Sequence, residues 1–189
     1  MEFGLNILID ICVLFLLIFG YFQAKKCSFF SELFSLMGIG LAACISLHYY
    51  VRLSELMSKR FLIPELSCQI SVYVFLVIFL GFLLSIGFES LAAVFKLEVH
   101  PMIDKWGGFL VGLFKIYFMI GLLFLGLYVS QQKIIVKAAS QSLSQYLFKD
   151  LSTGFYSFCF DKIIVKIIPS AKKNTKVFEV VSGLSKKSL

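Results

Sequence analysis

Apolar positions along this chain fall into four long runs separated by short polar stretches. The first extends from about Leu5 to Phe22 and is broken only by Asn6 and Asp10. The stretch "QAKKCS" then leads to a second run, about residues 29–50, which ends in "HYYVR", aromatic rings followed by a cation. That ending is the usual composition of a membrane interface. A third run covers about 68–95 and admits one acid, Glu89, and a fourth covers 107–129 and contains one charge, Lys115. An apolar helix needs about 20 residues to cross a bilayer, so each run predicts a transmembrane helix. Polar connections are expected at 51–67, with Arg52, Glu55, Lys59, Arg60 and Pro64, and at "KLEVHPMIDKW", where Pro101 acts as a breaker.

Composition agrees with lipid as the solvent. The 189 residues are 59% hydrophobic and 15% charged, with a mean hydropathy of +0.92, whereas soluble domains carry roughly a quarter charged residues. The first run is expected to be a retained span rather than a secretory signal, because the only charge before it is Glu2 rather than a base, and Asp10 interrupts it. The expected fold is all-α: a four-helix polytopic membrane domain over 1–129 with a helical tail over 130–189.

Charge marks the boundary between the two parts. Residues 1–129 carry eight bases and eight acids, whereas the tail holds ten lysines against Asp150, Asp161 and Glu179, which accounts for the whole net charge of +7. "KIIVK" occurs twice in the tail, at 133–137 and 162–166, on either side of the aromatic-rich "YLFKDLSTGFYSFCF". Such segments suit the headgroup region, where each lysine near an anionic surface contributes about 1 kcal/mol; the alternative is a helical appendage packed on the loops. Nucleic acid is a poor partner, since the Ile and aromatic clusters would be left exposed.

Within the fourth run, Asp104, Gly108, Gly112 and Lys115 are spaced four, four and three, and so share one helix face. Two glycines in G-x-x-x-G register let another helix approach that face closely, whether in the same bundle or in a second copy. Gly38 and Gly40 do the same for the second span. Lys115 lies about 12 Å below Gly107. Its stem can snorkel to the interface, or its ammonium can pair with an acid at similar depth. Glu89, about 9 Å deep on the same side, and Glu32, at the entrance to the second span, are the candidates, with Asp104 above; Asp10 lies in the opposite half. The expected feature is an intramembrane charge cluster of Lys115, Glu89, Glu32, Asp104 and Asp10, since ionisable groups in lipid face a bundle interior or a water cavity.

Catalytic chemistry is not indicated. G-x-S-x-G, H-E-x-x-H and paired intramembrane aspartates are absent, and His48 and His100 both fall at interfaces. The cysteines Cys12, Cys27, Cys44, Cys68 and Cys159 are scattered and form no C-x-x-C pair. They read as small buried hydrophobes, and no metal or cofactor is expected. Four spans put both termini on one side. Arg52, Lys59, Arg60, Lys133, Lys137 and Lys149 on that side outnumber Lys25, Lys26, Lys96 and Lys105 on the other, so the termini are expected in the cytoplasm.

"DKWGGFLVGLFK", Asp104 to Lys115, resembles the signature of the colicin V production (CvpA) family, Asp-basic-x-x-Gly-x-x-x-Gly-x-x-basic-Gly. Asp104, Lys105, Gly108, Gly112 and Lys115 fit, and Ile116 replaces the last glycine. Asp10 matches the family's early acid, and Phe29 and Glu32 match the end of its Arg-Gly-Phe-x-x-Glu turn, in which Cys27 and Ser28 stand for Arg and Gly. The likeness covers roughly residues 1–130. It implies a non-enzymatic bacterial inner-membrane protein needed for production or export of the toxin colicin V, or for envelope homeostasis. Its partners would be further copies or export and envelope membrane proteins. A small transporter or channel using the intramembrane charges is the alternative.

Overall fold

The computed structural model describes residues 3–25, 28–61, 64–95, 100–148, 150–167 and 172–185; Lys26, Cys27, Lys96 and Lys149 lie outside them. Every element among these residues is helical. Four long helices come first: α1 (Phe3–Ala24), α2 (Phe29–Phe61), α3 (Glu65–Phe95) and α4 (Pro101–Val129). All four are long and apolar enough to cross a membrane. In hydrocarbon the backbone must bond within its own segment, which leaves a continuous helix as the available form for each run.

Two boundaries differ from those the apolar runs predict. The second helix does not stop at Tyr50 but continues to Phe61. The charged stretch after Arg52 is rich in Leu, Glu, Met, Lys and Arg, which favour helix as well in water as Leu does in lipid. Pro101 opens α4 rather than sitting in a loop: it occupies the first turn, and the His100 side chain accepts from Met102 N at 3.4 Å. Proline has no N–H to lose at that position.

The helices pack in the lateral order α3, α2, α4, α1. Small residues make the close approaches. A Cβ on Gly38 would lie 3.0 Å from the backbone of Leu84, one on Gly112 2.7 Å from the Cβ of Ala24, and one on Gly20 within 3 Å of Ile116. A buried cluster of Leu47, Tyr50, Val72, Tyr73, Leu125 and Val129 joins α2, α3 and α4 at the end that carries the termini. There Tyr73 Oη donates to the Leu122 carbonyl at 2.9 Å.

The tail continues as α5 (Lys133–Gln141), α6 (Gln145–Phe148) and α7 (Leu151–Cys159), then a π-helical turn (Phe160–Ile164), α8 (Val165–Ile167) and α9 (Lys176–Ser185). Its aromatic residues divide: Tyr146 and Phe158 are exposed, whereas Phe148 and Tyr156 are buried against the long helices. Phe155 packs edge-on against Phe118, with ring centroids 4.5 Å apart, and its ring would sit 3.1 Å from a Cβ on Gly40. Gly40 is about 16 Å along α2 from Phe29, near the middle of a hydrocarbon layer about 30 Å thick. Phe148 lies between Tyr117 and Phe124. The tail therefore packs on both flanks of α4: Phe155 sits over Gly40 and beside the cluster of Ala43 and Phe118, facing α2, and Phe148 joins Val13, Ile120 and Phe124, facing α1. Both rings bury apolar area that would otherwise be exposed. On the way out, Val177 and Val181 of α9 close over the terminal-side cluster.

Candidate functional site: an ion pair beside a membrane cavity

Glu32 stands in the first turn of α2, and Lys115 stands two turns into the apolar part of α4. Their charges meet: Lys115 Nζ lies 2.5 Å from Glu32 Oε2, with the two side chains 17% and 6% exposed. The contact is ionic rather than a well-formed hydrogen bond, since Oε2 meets no donor at a bonding angle. Gly112, one turn before Lys115, lies beside the carboxylate and tight against α1: a Cβ there would sit in ordinary contact with Glu32 Cδ at 3.7 Å but only 2.7 Å from Ala24 Cβ. A group this buried costs several kcal/mol when stripped of its counter-charge, so the pair fixes the rotation of α4 against α2.

Asp104 performs a different task on the same face of α4. Its Oδ1 accepts from Phe29 N and from Ser28 Oγ, both at 2.8 Å. It therefore caps the start of α2 from a neighbouring helix, satisfying a backbone donor that α2 cannot satisfy itself. Gly108 is buried between these two charges.

Two of the acids expected in this cluster are elsewhere. Glu89 is exposed on α3, a helix that packs chiefly on α2 rather than on α4. Phe88 beside it stacks on Phe34 of α2, with ring centroids 6.3 Å apart, and that rotation turns Glu89 outward. Asp10 is at the opposite end of α1, where it accepts from Leu143 N at 3.1 Å and from Ser144 N and Oγ at 3.0 and 2.6 Å. It anchors the turn between α5 and α6.

A cavity of about 280 Å3 adjoins the ion pair, in the cleft where α1 and α2 flank α4. Glu32 and Lys115 form its polar end, with Gln23 nearby, and Leu16, Ile39, Ile120 and Leu123 line the rest. Phe19, Met119 and Leu123 are exposed at its rim, so it opens sideways toward lipid. On the other side of α2, His48 Nδ1 lies 3.2 Å from Tyr156 Oη, which also accepts from Asn174 N at 3.1 Å. Asn174 Nδ2 donates to the Leu47 carbonyl at 2.8 Å. Ser28 entered the sequence reading only as a departure from the family's turn, and Ser144, Tyr156 and Asn174 were not singled out. Only Ser28, a capping residue type placed before an apolar run, carries a local signal. No group of three or more metal-ligating side chains occurs among the described residues.

Four apolar helices, joined by carboxylates that serve as ion-pair partner, cap and tail anchor, define a multi-pass α-helical membrane protein. The family described as "Colicin V production protein" matches residues 9–152, and the chain belongs to that family. The match runs past Val129 through α5 and α6, further than the likeness legible residue by residue. No curated protein and no solved structure matches the chain.

Proposed function

We propose that this protein is a non-enzymatic scaffold of the bacterial inner membrane, supporting toxin production or export, or envelope homeostasis, with both termini in the cytoplasm. One observation carries the reading: Lys115, Glu32, Asp104 and Asp10 each engage another element of the bundle. Charges spent on joining helices serve architecture, whereas a conducting pathway needs them free along a water-filled route. The spans are also unbroken through their apolar lengths, unlike the interrupted helices that build transport sites. The tail's exposed Lys133, Lys162 and Lys166 favour contact with anionic headgroups at the rim of the bundle. Outward-facing apolar surfaces on α1 and α3 are where a further copy or an export or envelope protein would dock.

Complementation tests this. A strain lacking the gene, supplied with wild-type protein, regains toxin secretion and detergent resistance, and Lys115→Ala does not restore them. Purified protein in liposomes passes no ions beyond empty vesicles; flux that disappears in Lys115→Ala would establish the transporter reading instead. A reporter active only outside the cytoplasm, fused to the C-terminus, stays inactive. Activity there would reverse the orientation.

A further inference from the structure

We infer that the cleft between α1, α2 and α4 is a binding site for one phospholipid with a primary-ammonium headgroup. The cavity has one polar end and one apolar body. At the polar end, Lys115 brings three N–H donors and faces the Glu32 carboxylate, while Glu32 Oε2 is buried and lacks a donor at bonding angle. A ligand that satisfies both must bring an anionic acceptor and a charged donor a few ångströms apart. An ethanolamine phosphate does so: its phosphate meets the ammonium and its own ammonium meets the carboxylate. Charge-assisted bonds of this kind are about twice as strong as neutral ones. A choline headgroup has the same charge and no N–H, so it leaves Oε2 unsatisfied.

Position and shape agree with a lipid rather than a soluble zwitterion. Glu32 lies one turn inside the start of α2, about 5 Å below the Asp104 cap, at the level a phosphate reaches. From there the cavity extends to Leu123, about 12 Å further along α4 than Lys115, and to Leu16 on α1. That is the direction of an acyl chain, and the exposed rim at Phe19 and Met119 admits it from the bilayer.

The test uses the full chain in nanodiscs of ethanolamine and choline lipids with identical acyl chains, followed by native mass spectrometry of the lipids retained. The ethanolamine lipid is retained about tenfold over the choline lipid, the ratio one such bond confers. Glu32→Gln brings the ratio to about one. Leu123→Trp, which fills the apolar end at a rim position away from the ion pair, removes retention of both lipids. Equal retention of the two headgroups by the wild type overturns the site. So does a preference that survives Glu32→Gln, or retention that survives Leu123→Trp. Glycerophosphoethanolamine, which has no acyl chains, fails to compete; competition at equal concentration would overturn the lipid assignment. These outcomes leave the scaffold reading untouched, because that reading stands on complementation.

Discussion

Asp10 holds Ser144 twice, accepting from its backbone N at 3.0 Å and from its Oγ at 2.6 Å. The two residues are 134 positions apart, on the first helix and in the tail. This contact, with the Leu143 N–H beside it, is what brings α6 back toward the bundle. Asp10→Ala removes a charged acceptor worth about 1.5–3 kcal/mol per bond. Amide hydrogen exchange over 143–148 should then rise at least about tenfold, with α4 unchanged. Asp10→Asn, which keeps one acceptor, falls between.

Lys115→Ala strands Glu32 without its counter-charge, and removing one partner of a buried pair costs about 3–5 kcal/mol. The double change Lys115→Met with Glu32→Gln removes both charges and should recover most of that loss. Thermal unfolding in one detergent gives the comparison. Equal destabilisation by the single and double variants would mean the pair contributes nothing. Because Glu89 faces outward, Glu89→Gln leaves the midpoint unmoved.

Gly112 and Gly81 make a matched pair of substitutions. A side chain at Gly112 collides with Ala24 on α1, whereas nothing lies within 4 Å of a Cβ at Gly81. Gly112→Val should separate α1 from α4 and destabilise by about 1–3 kcal/mol. Gly81→Ala should be neutral or slightly stabilising, since alanine is the better helix former. Apparent stability against heat or steric trapping distinguishes them.

Cys44 on α2 and Cys159 on α7 are neighbouring buried free thiols. They report on whether the tail is seated on the bundle. In a chain whose other cysteines are serine, a mild oxidant in native membranes should cross-link this pair, seen as loss of two thiols and a mobility shift. Tyr156→Phe, which removes the bond to His48, slows the cross-link. Free thiols after oxidation would place the tail outside the bundle.

The four spans were legible because hydropathy alone determines them, and lipid leaves an apolar run no other structure. That Lys115 would need an acid was legible too. Which acid was not, because depth along a helix follows from counting residues, but rotation about the axis does not. By depth Glu89 was the nearer match to Lys115 and Glu32 the shallower; the Phe88–Phe34 stack and the close approach of Gly38 to Leu84 set a rotation of α3 that leaves Glu89 exposed. The seating of the tail's rings was not legible for a related reason. Phe148, Phe155 and Tyr156 stand among Ser, Thr and Lys, and the surfaces they cover exist only once the long helices have packed: Phe155 lies on Gly40 and Phe118, and Phe148 on Tyr117 and Phe124. The cap by Asp104 crosses 75 positions, and no local pattern announces it.

The packed tail imposes an order on biogenesis. Ribosomes make α6 and α7 after α1 to α4, so all four crossings enter the membrane while the surfaces at Gly40, Tyr117 and Phe118 are still uncovered. Maturation then ends with a seating step, in which Asp10 captures the newly made turn and the rings behind it slide into place. A nascent chain arrested before that moment is inserted but unfinished, and its open flank is where quality-control proteases or assembly partners gain their one early chance to engage.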